Sequence, residues 1–155
     1  MDHKTNSAGL MLALQRSRFL SGLQDRDPQR FAAWAASGIF EAAWTPGRIA
    51  ARAEIVSGEA AAATLRALRN RELAAIAVRA LGAQAPVEET LGALSELAEV
   101  LCGAALAEAE RRLQALYGVP RLADSSAARP VVLGMGKLGG GELNFSSDID
   151  LILGY

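Results

Sequence analysis

The chain has little of what most often carries chemistry: one cysteine, Cys102, and one histidine, His3, among 155 residues. A single cysteine excludes an internal disulfide and fits a reducing compartment. The histidine lies in a polar stretch, residues 1–7, with no second His or Cys at ligand spacing, so it reads as part of a frayed tail. Aromatic residues make up 5% of the chain and the formal net charge is −1, which supports neither base stacking nor a basic footprint for nucleic acid. No apolar stretch reaches the roughly 18 residues that cross a bilayer. A short apolar run at residues 10–14 is interrupted by Gln15, Arg16 and Arg18, with no convincing cleavage site, unlike a signal peptide. These absences predict a cytoplasmic protein with no nucleic-acid or membrane partner.

What is present favours helix. Hydrophobic residues are 51% and charged residues 21%, enough apolar surface for a sizeable core. The apolar periodicity and its punctuation predict helices over residues 8–23, 28–37, 46–55, 57–81 and 86–117. Asp27-Pro28 and Thr45-Pro46 each place a capping side chain before a proline at the first helical position, and Gly38, Gly82 and Gly118 stand where helices stop. Trp34 and Trp44 are expected to anchor packing between short helices. In the long alanine-rich helix, Leu65, Arg69, Glu72, Ile76 and Arg79 share one stripe, which implies either an Arg69–Glu72 ion pair or the wall of a polar cleft. Ala63, Ala67, Ala74, Ala77, Val78 and Leu81 occupy its other sides, so little of this helix is expected to face water. In the last helix Leu91, Leu94, Ala98, Leu101 and Ala105 form an inner stripe, joined by Cys102, Leu106, Ala109 and Leu113 as the face drifts. Cys102 is therefore a small core residue, with no activating neighbour visible.

After a small-residue connector at 124–130, the final quarter changes character. Residues 131–133 read as a strand entered from Pro130, and residues 148–153 as a second, with a glycine-rich turn between them. Side chains alternate along a strand, which places Asp148 and Asp150 on one face. Two carboxylates so close repel each other unless a divalent cation lies between them, and hard oxygen ligands favour magnesium or manganese. The glycines, Gly134, Gly136, Gly139, Gly140 and Gly141, remove side-chain bulk and free backbone N–H groups, as a loop approaching phosphate requires.

Residues 134–139 match the dinucleotide-binding pattern G-x-G-x-x-G, but the few residues between Gly141 and the next strand leave no room for a parallel crossover with its helix. A P-loop fails because Lys137 is followed by Leu138 and not by Ser or Thr. A strand, a glycine turn and a second strand carrying Asp-x-Asp remain, the arrangement used for metal-assisted displacement at phosphorus. Lys137 could assist the phosphate or be a solvent-facing lysine at the strand end, and Glu142 and Asn144 could touch substrate or merely shape the turn. A hydroxyl from Ser146 or Ser147 could bond phosphate or simply close the turn before the acidic strand.

The run from Gly134 to Ile152, with Gly-Gly-Gly-Glu-Leu-Asn-Phe-Ser-Ser-Asp-Ile-Asp at its centre, resembles the signature of bacterial glutamine synthetase adenylyltransferases, members of the DNA polymerase β-like nucleotidyltransferase superfamily. The resemblance implies an α+β chain: a helical region over 1–125 and the incomplete start of a nucleotidyltransferase domain over 126–155. It implies Asp148 and Asp150 as catalytic metal ligands for Mg2+ or Mn2+, with Gly139 and Gly140 at the phosphate loop and Ser147 beside them. The form of the motif is similar to the adenylyl-removing half, which implies phosphorolysis of adenylyl-tyrosine on glutamine synthetase with release of ADP. Adenylylation from ATP is the rival within the class. A non-catalytic helical module that binds glutamine synthetase or a P-II-type signal protein is the rival outside it. The superfamily uses a third carboxylate on a later strand, which predicts that these 155 residues open a longer polypeptide and are inactive alone.

Overall fold

The structure, a computed structural model, describes residues 3–53, 58–82 and 84–154, with side chains from residue 8 onward. Helices α1 (His3–Arg16), α2 (Arg18–Arg26) and α3 (Pro28–Ala36) lead through a 3-10 turn (Ala50–Arg52) to the long helices α4 (Ala61–Leu81) and α5 (Val87–Tyr117). Strand β1 (Val131–Gly134), one helical turn α6 (Gly136–Gly139) and strand β2 (Leu151–Gly154) follow. The architecture is α+β and mostly helical, as the sequence predicts.

Three element boundaries differ from expectation. The first predicted helix is two helices, and it begins at His3, so residues 3–7 are helical and not a frayed tail. It divides at Ser17, whose extended backbone (φ −129°) lets its hydroxyl accept the Leu20 amide at 3.3 Å as the cap of α2. The helix predicted over 46–55 is replaced by turns and the short 3-10 segment. Gly47 lies at φ +83°, which a continuous helix cannot accommodate, and the predicted end at Ile55 falls outside the described residues. The predicted start of the long helix at Ser57 also falls outside them, and α4 is helical from Ala61, just after Gly58 at φ +79°. Asp27 behaves as expected: its Oδ1 accepts the Arg30 amide at 3.0 Å and Pro28 begins α3.

Helix α4 is the axis of the molecule. Between Glu72 and Arg79 every residue but the half-buried Leu73 is buried. One side, with Ala74, Ala75, Ala77 and Val78, packs against Ala13, Leu20, Phe31 and Phe40, while Ile76 turns to Ile49, Leu94 and Leu97. Small side chains on α4 let helices approach from both directions, and the core divides into two clusters with α4 between them. Its first turns differ, since Ala63 and Ala67 face water. Trp34 lies 6.2 Å from Phe31, ring to ring, and Trp44 packs into the second cluster, so both tryptophans anchor helices as expected.

Charges inside this packing are paired, but not as spacing along one helix suggests. Glu72 is buried and faces Arg71 at 2.9 Å and Arg52 at 3.7 Å. Arg69 is exposed and among the described residues reaches only Asn70 Oδ1, at 3.5 Å. The expected Arg69–Glu72 pair is therefore replaced by one with the adjacent residue and one brought in from the connector, which helical periodicity does not register. Arg79 donates through Nη2 to Glu89 Oε2 at 2.9 Å, through Nε to Oε1, and through Nη1 to the Glu41 carbonyl at 2.9 Å. Glu89 Oε1 also accepts the Trp44 amide at 3.1 Å. Two turns along α5, Glu96 accepts the Trp44 indole N–H and the amides of Ile49 and Ala50. The segment joining α3 to α4 is thus held by two carboxylates of α5.

Helix α5 ends at Gly118, at φ +79°. Its predicted inner stripe is buried or half-buried through Cys102, but Ala105, Ala109 and Leu113 are exposed, and no described residue covers them. Nearby, Arg111 and Arg112 both bond Glu108 and hold its carboxyl at about 2. Arg112 also donates to the Gly58 carbonyl at 2.7 Å, tying α5 to the entry of α4. By length and average hydropathy α5 alone among the described residues could cross a bilayer, although no uninterrupted apolar run within it reaches the roughly 18 residues of a span. Its first half instead packs on α4 and on the glycine-rich segment.

Removing Arg79 leaves the half-buried Glu89 beside α4 without its partner. Arg79→Met is expected to lower unfolding free energy by about 3 kcal/mol, measured by urea denaturation at neutral pH. Hydrogen bonding from Arg79 holds the Glu89 carboxyl below its ordinary 4.5. A lowered folded-state value adds stability above pH 4.5 that is lost as pH falls through that lower value. The gap between wild type and Arg79→Met should therefore narrow below pH 4.5; a constant gap would show that the pair does not couple to folding.

Candidate functional site

The two strands pair antiparallel, Val131 with Gly154, Val132 with Leu153, Leu133 with Ile152 and Gly134 with Leu151. Antiparallel neighbours exclude the parallel crossover of a dinucleotide-binding unit, as the short connection predicts. The second strand starts later than expected, at Leu151 and not at Asp148. The reason lies in its partner: β1 ends at Gly134 and the chain turns into α6, so residues 148–150 have no strand to pair with. One further bond, from the Met135 amide to the Asp150 carbonyl at 2.9 Å, ties Asp150 to the base of the glycine turn.

Asp148 and Asp150 are exposed on either side of Ile149. Among the described residues neither carboxylate takes part in a hydrogen bond or an ion pair. Other acids of this protein, Glu72, Glu89 and Glu108, are tied to arginines. The aspartates thus combine adjacency, access and freedom from counter-charges, properties that a ligand for an external cation needs.

The turn between the strands is built on glycine for a steric reason. A Cβ on Gly139 would come within 2.4 Å of the Gly134 carbonyl oxygen, so the turn folds back onto β1 only without one. Gly136 and Gly141 take positive φ, +54° and +70°, at its two ends. The amides of Gly139 and Gly140 bond the carbonyls of Met135 and Gly136 at 3.3 and 3.0 Å. These two glycines therefore offer an approaching anion no free N–H; their part is to let the turn close against β1.

Two leucines fasten this turn to the helices. Leu138 and Leu143 are buried in the cluster formed by Leu94, Leu97 and Ala98 of α5. Between them the Leu143 amide donates to Ser95 Oγ at 3.1 Å, a buried bond, while Ser95 donates in turn to the Leu91 carbonyl at 2.9 Å. Sequence reasoning passed over Ser95, since a serine inside a helix carries no signal of a distant partner. Further along, Ser147 donates to Asn144 Oδ1 at 2.7 Å and accepts the Asn144 amide at 3.3 Å, and the Ser146 amide also bonds Asn144 Oδ1. The Ser147 hydroxyl thus closes the turn that delivers the chain to Asp148.

Behind the turn, a cavity of about 390 Å³ separates α5 from the sheet, with Cys102, Leu106, Val132, Leu138 and Leu151 among its walls. Burial pushes the Cys102 thiol above its ordinary value, which disfavours the thiolate a nucleophile needs. Among the described residues no group of three or more His, Cys, Asp or Glu side chains could hold a metal ion. Asp148 and Asp150 alone supply two carboxylates. That donor set fits magnesium in kind, because Mg2+ keeps several waters and takes one or two carboxylates together with substrate phosphates.

The family model for glutamate-ammonia ligase adenylyltransferase matches residues 7–155. Among curated proteins, the chain is 47% identical over 116 residues to the bifunctional glutamine synthetase adenylyltransferase/adenylyl-removing enzyme of Thioalkalivibrio sulfidiphilus, covering 74% of this chain and 12% of that protein. It is 39% identical over 151 residues to the protein of the same name from Burkholderia mallei, covering 94% and 16%. Against that of Ralstonia nicotianae it is 40% identical, covering 96% and 16%. The chain thus spans only 12% to 16% of the length of these relatives.

The attachment of the turn to α5 can be tested at its buried polar link. Ser95→Ala removes the acceptor of the Leu143 amide and is expected to cost about 1–3 kcal/mol, with faster hydrogen exchange at Leu143 than at α4 amides. Unchanged exchange at Leu143 would mean that the leucines alone hold the turn.

Proposed function

The chain belongs to the glutamate-ammonia ligase adenylyltransferase family, and from that premise we propose that it is part of a longer, metal-dependent nucleotidyltransferase that removes adenylyl groups from glutamine synthetase. The observation that supports this reading most is the pair of exposed, unpaired carboxylates, Asp148 and Asp150, beside a turn that only glycine can form. In the proposed reaction an oxygen of inorganic phosphate attacks the phosphorus of adenylyl-tyrosine on glutamine synthetase. The new P–O bond makes ADP, the bond from phosphorus to the tyrosine oxygen breaks, and the phenolate takes a proton.

Both reactants are anionic, so the step needs their charges neutralised where they meet. Mg2+ or Mn2+ held by Asp148 and Asp150 would supply that neutralisation and orient the phosphate oxygens. Gly139 and Gly140 would serve the phosphate groups indirectly, by letting the turn fold tightly onto β1 beside the aspartates. Ser147 acts indirectly, by closing the turn that presents Asp148. A cytoplasmic location belongs to the same proposal, since glutamine synthetase would have to meet the chain there. Adenylylation from ATP would use the same groups in the opposite sense, with pyrophosphate leaving.

A second reading makes the chain a docking module for glutamine synthetase or a P-II-type signal protein. The exposed apolar end of α5, with Leu113, Leu116 and Tyr117, favours it.

Asp150→Asn in the complete protein is expected to reduce ADP release from adenylylated glutamine synthetase by at least about a hundredfold, with helicity and unfolding midpoint unchanged. Turnover within a few-fold of wild type would remove Asp150 from the metal site. Pyrophosphate formed from ATP at wild-type rates, without any phosphate-dependent ADP release, would reverse the proposed direction.

A further inference from the structure

The described residues form a second cavity, which shares no lining residue with the strand and turn segment. It measures about 190 Å³ and lies between α3, the 3-10 turn and α4, walled by Arg30, Trp34, Arg52, Thr64, Leu68 and Arg71. Its chemistry is cationic. Arg71 donates through Nε to Glu72 Oε1 at 2.9 Å, and Glu72 is buried. Arg52 Nη1 stands 3.7 Å from Glu72 Oε2, close enough for charge attraction but beyond a hydrogen bond. That nitrogen is buried and has no hydrogen-bond acceptor among the described residues. Arg30, which is exposed, pairs among the described residues with the half-buried Asp27, at 3.3 Å.

One buried carboxylate thus faces two guanidinium groups; Arg52 Nη1 is turned inward to Glu72, and it is the exposed third of each arginine side chain that lines the cavity. Neutralising Glu72 requires a single arginine, so charge balance inside the protein does not explain the second. A planar guanidinium fork matches the oxygens of a phosphate group, and a third arginine at the rim adds attraction on approach. The volume is equivalent to about six waters, enough for one phosphate group with some hydration but not for a whole nucleoside. Anything attached to the phosphate would leave past Arg30 and along Trp34, whose aromatic face suits a flat ring.

We propose that this cavity is a binding site for a phosphate group, free or carried by a nucleotide, held by Arg52 and Arg71 with Arg30 at its mouth. The site is separate from Asp148 and Asp150 and stands whether or not those residues bind metal. It also revises the polar cleft anticipated at Arg69: the cleft exists one turn face away, at Arg71, and its decisive residue comes from the connector.

The test is a titration of the full chain with inorganic phosphate in the presence of a chelator, which silences any metal-dependent site, read by tryptophan fluorescence. The chain has two tryptophans, and of these Trp34 lines the cavity. A saturable change is expected in wild type and in Asp150→Asn, lost in Trp34→Phe, and shifted at least about tenfold to weaker binding in Arg52→Met. Arg30→Ala touches no core residue, and it should weaken binding while leaving circular dichroism unchanged. ADP binding more tightly than phosphate would assign a nucleotide-borne group; equal affinities would assign the free ion. No saturable change in wild type, or an unaltered affinity in both Arg52→Met and Arg30→Ala, would overturn the proposal.

Discussion

The contact on which the arrangement depends is the ion pair between Arg79 near the end of α4 and Glu89 in the first turn of α5. It is almost out of water, and its remaining donors and acceptors are satisfied by the backbone of the connector, through the Glu41 carbonyl and the Trp44 amide. A buried pair of this kind adds little net stability over an apolar substitute, but it tolerates very few geometries. Here it sets the approach of α4 to α5 and brings the connector across both. Glu96 then fixes the connector a second time, two turns further along α5. That placement delivers Arg52 to Glu72 and so creates the cationic cavity beside α3.

The same helix, α5, is the platform for the strand and turn segment. Leu138 and Leu143 enter its apolar face, and Ser95 satisfies the Leu143 amide, which burial would otherwise leave without a partner. The turn is therefore anchored from behind while Asp148 and Asp150 stand in solvent in front. Rigid support behind exposed ligands is what a site needs if its partners, a hydrated cation and a phosphate, come from outside the protein.

Much of this was legible in the sequence because it is local. Asp27-Pro28, Gly82 and Gly118 mark helix ends through their own backbone chemistry, and the antiparallel strand pair follows from a connection too short for a crossover. The stripe of α5 was legible as far as Cys102; beyond it, Ala109 and Leu113 lie uncovered, because an apolar pattern shows which face seeks cover but not whether cover is present. The errors arise where tertiary contacts override local signals. Ser17 interrupts an apolar pattern that reads as one helix, and Gly47 breaks a segment whose Thr-Pro start resembles a helix cap. The partners of Glu72 and the acceptor role of Ser95 depend on residues far away in the chain, and no periodicity reports them. The aspartates were visible as a motif, but their position ahead of β2, outside the ladder, depends on where the partner strand ends.

The central claim is that Asp148 and Asp150 together hold a divalent cation at the mouth of the glycine turn. The most direct measurement is selective broadening of backbone amide resonances by substoichiometric Mn2+ in the isotopically labelled full chain. The account predicts broadening confined to the amides around Met135, Gly136, Ile149 and Leu151, and its disappearance in Asp148→Asn. Broadening centred on another acidic group, such as Glu88 at the start of α5, or no localised broadening at all, would contradict it.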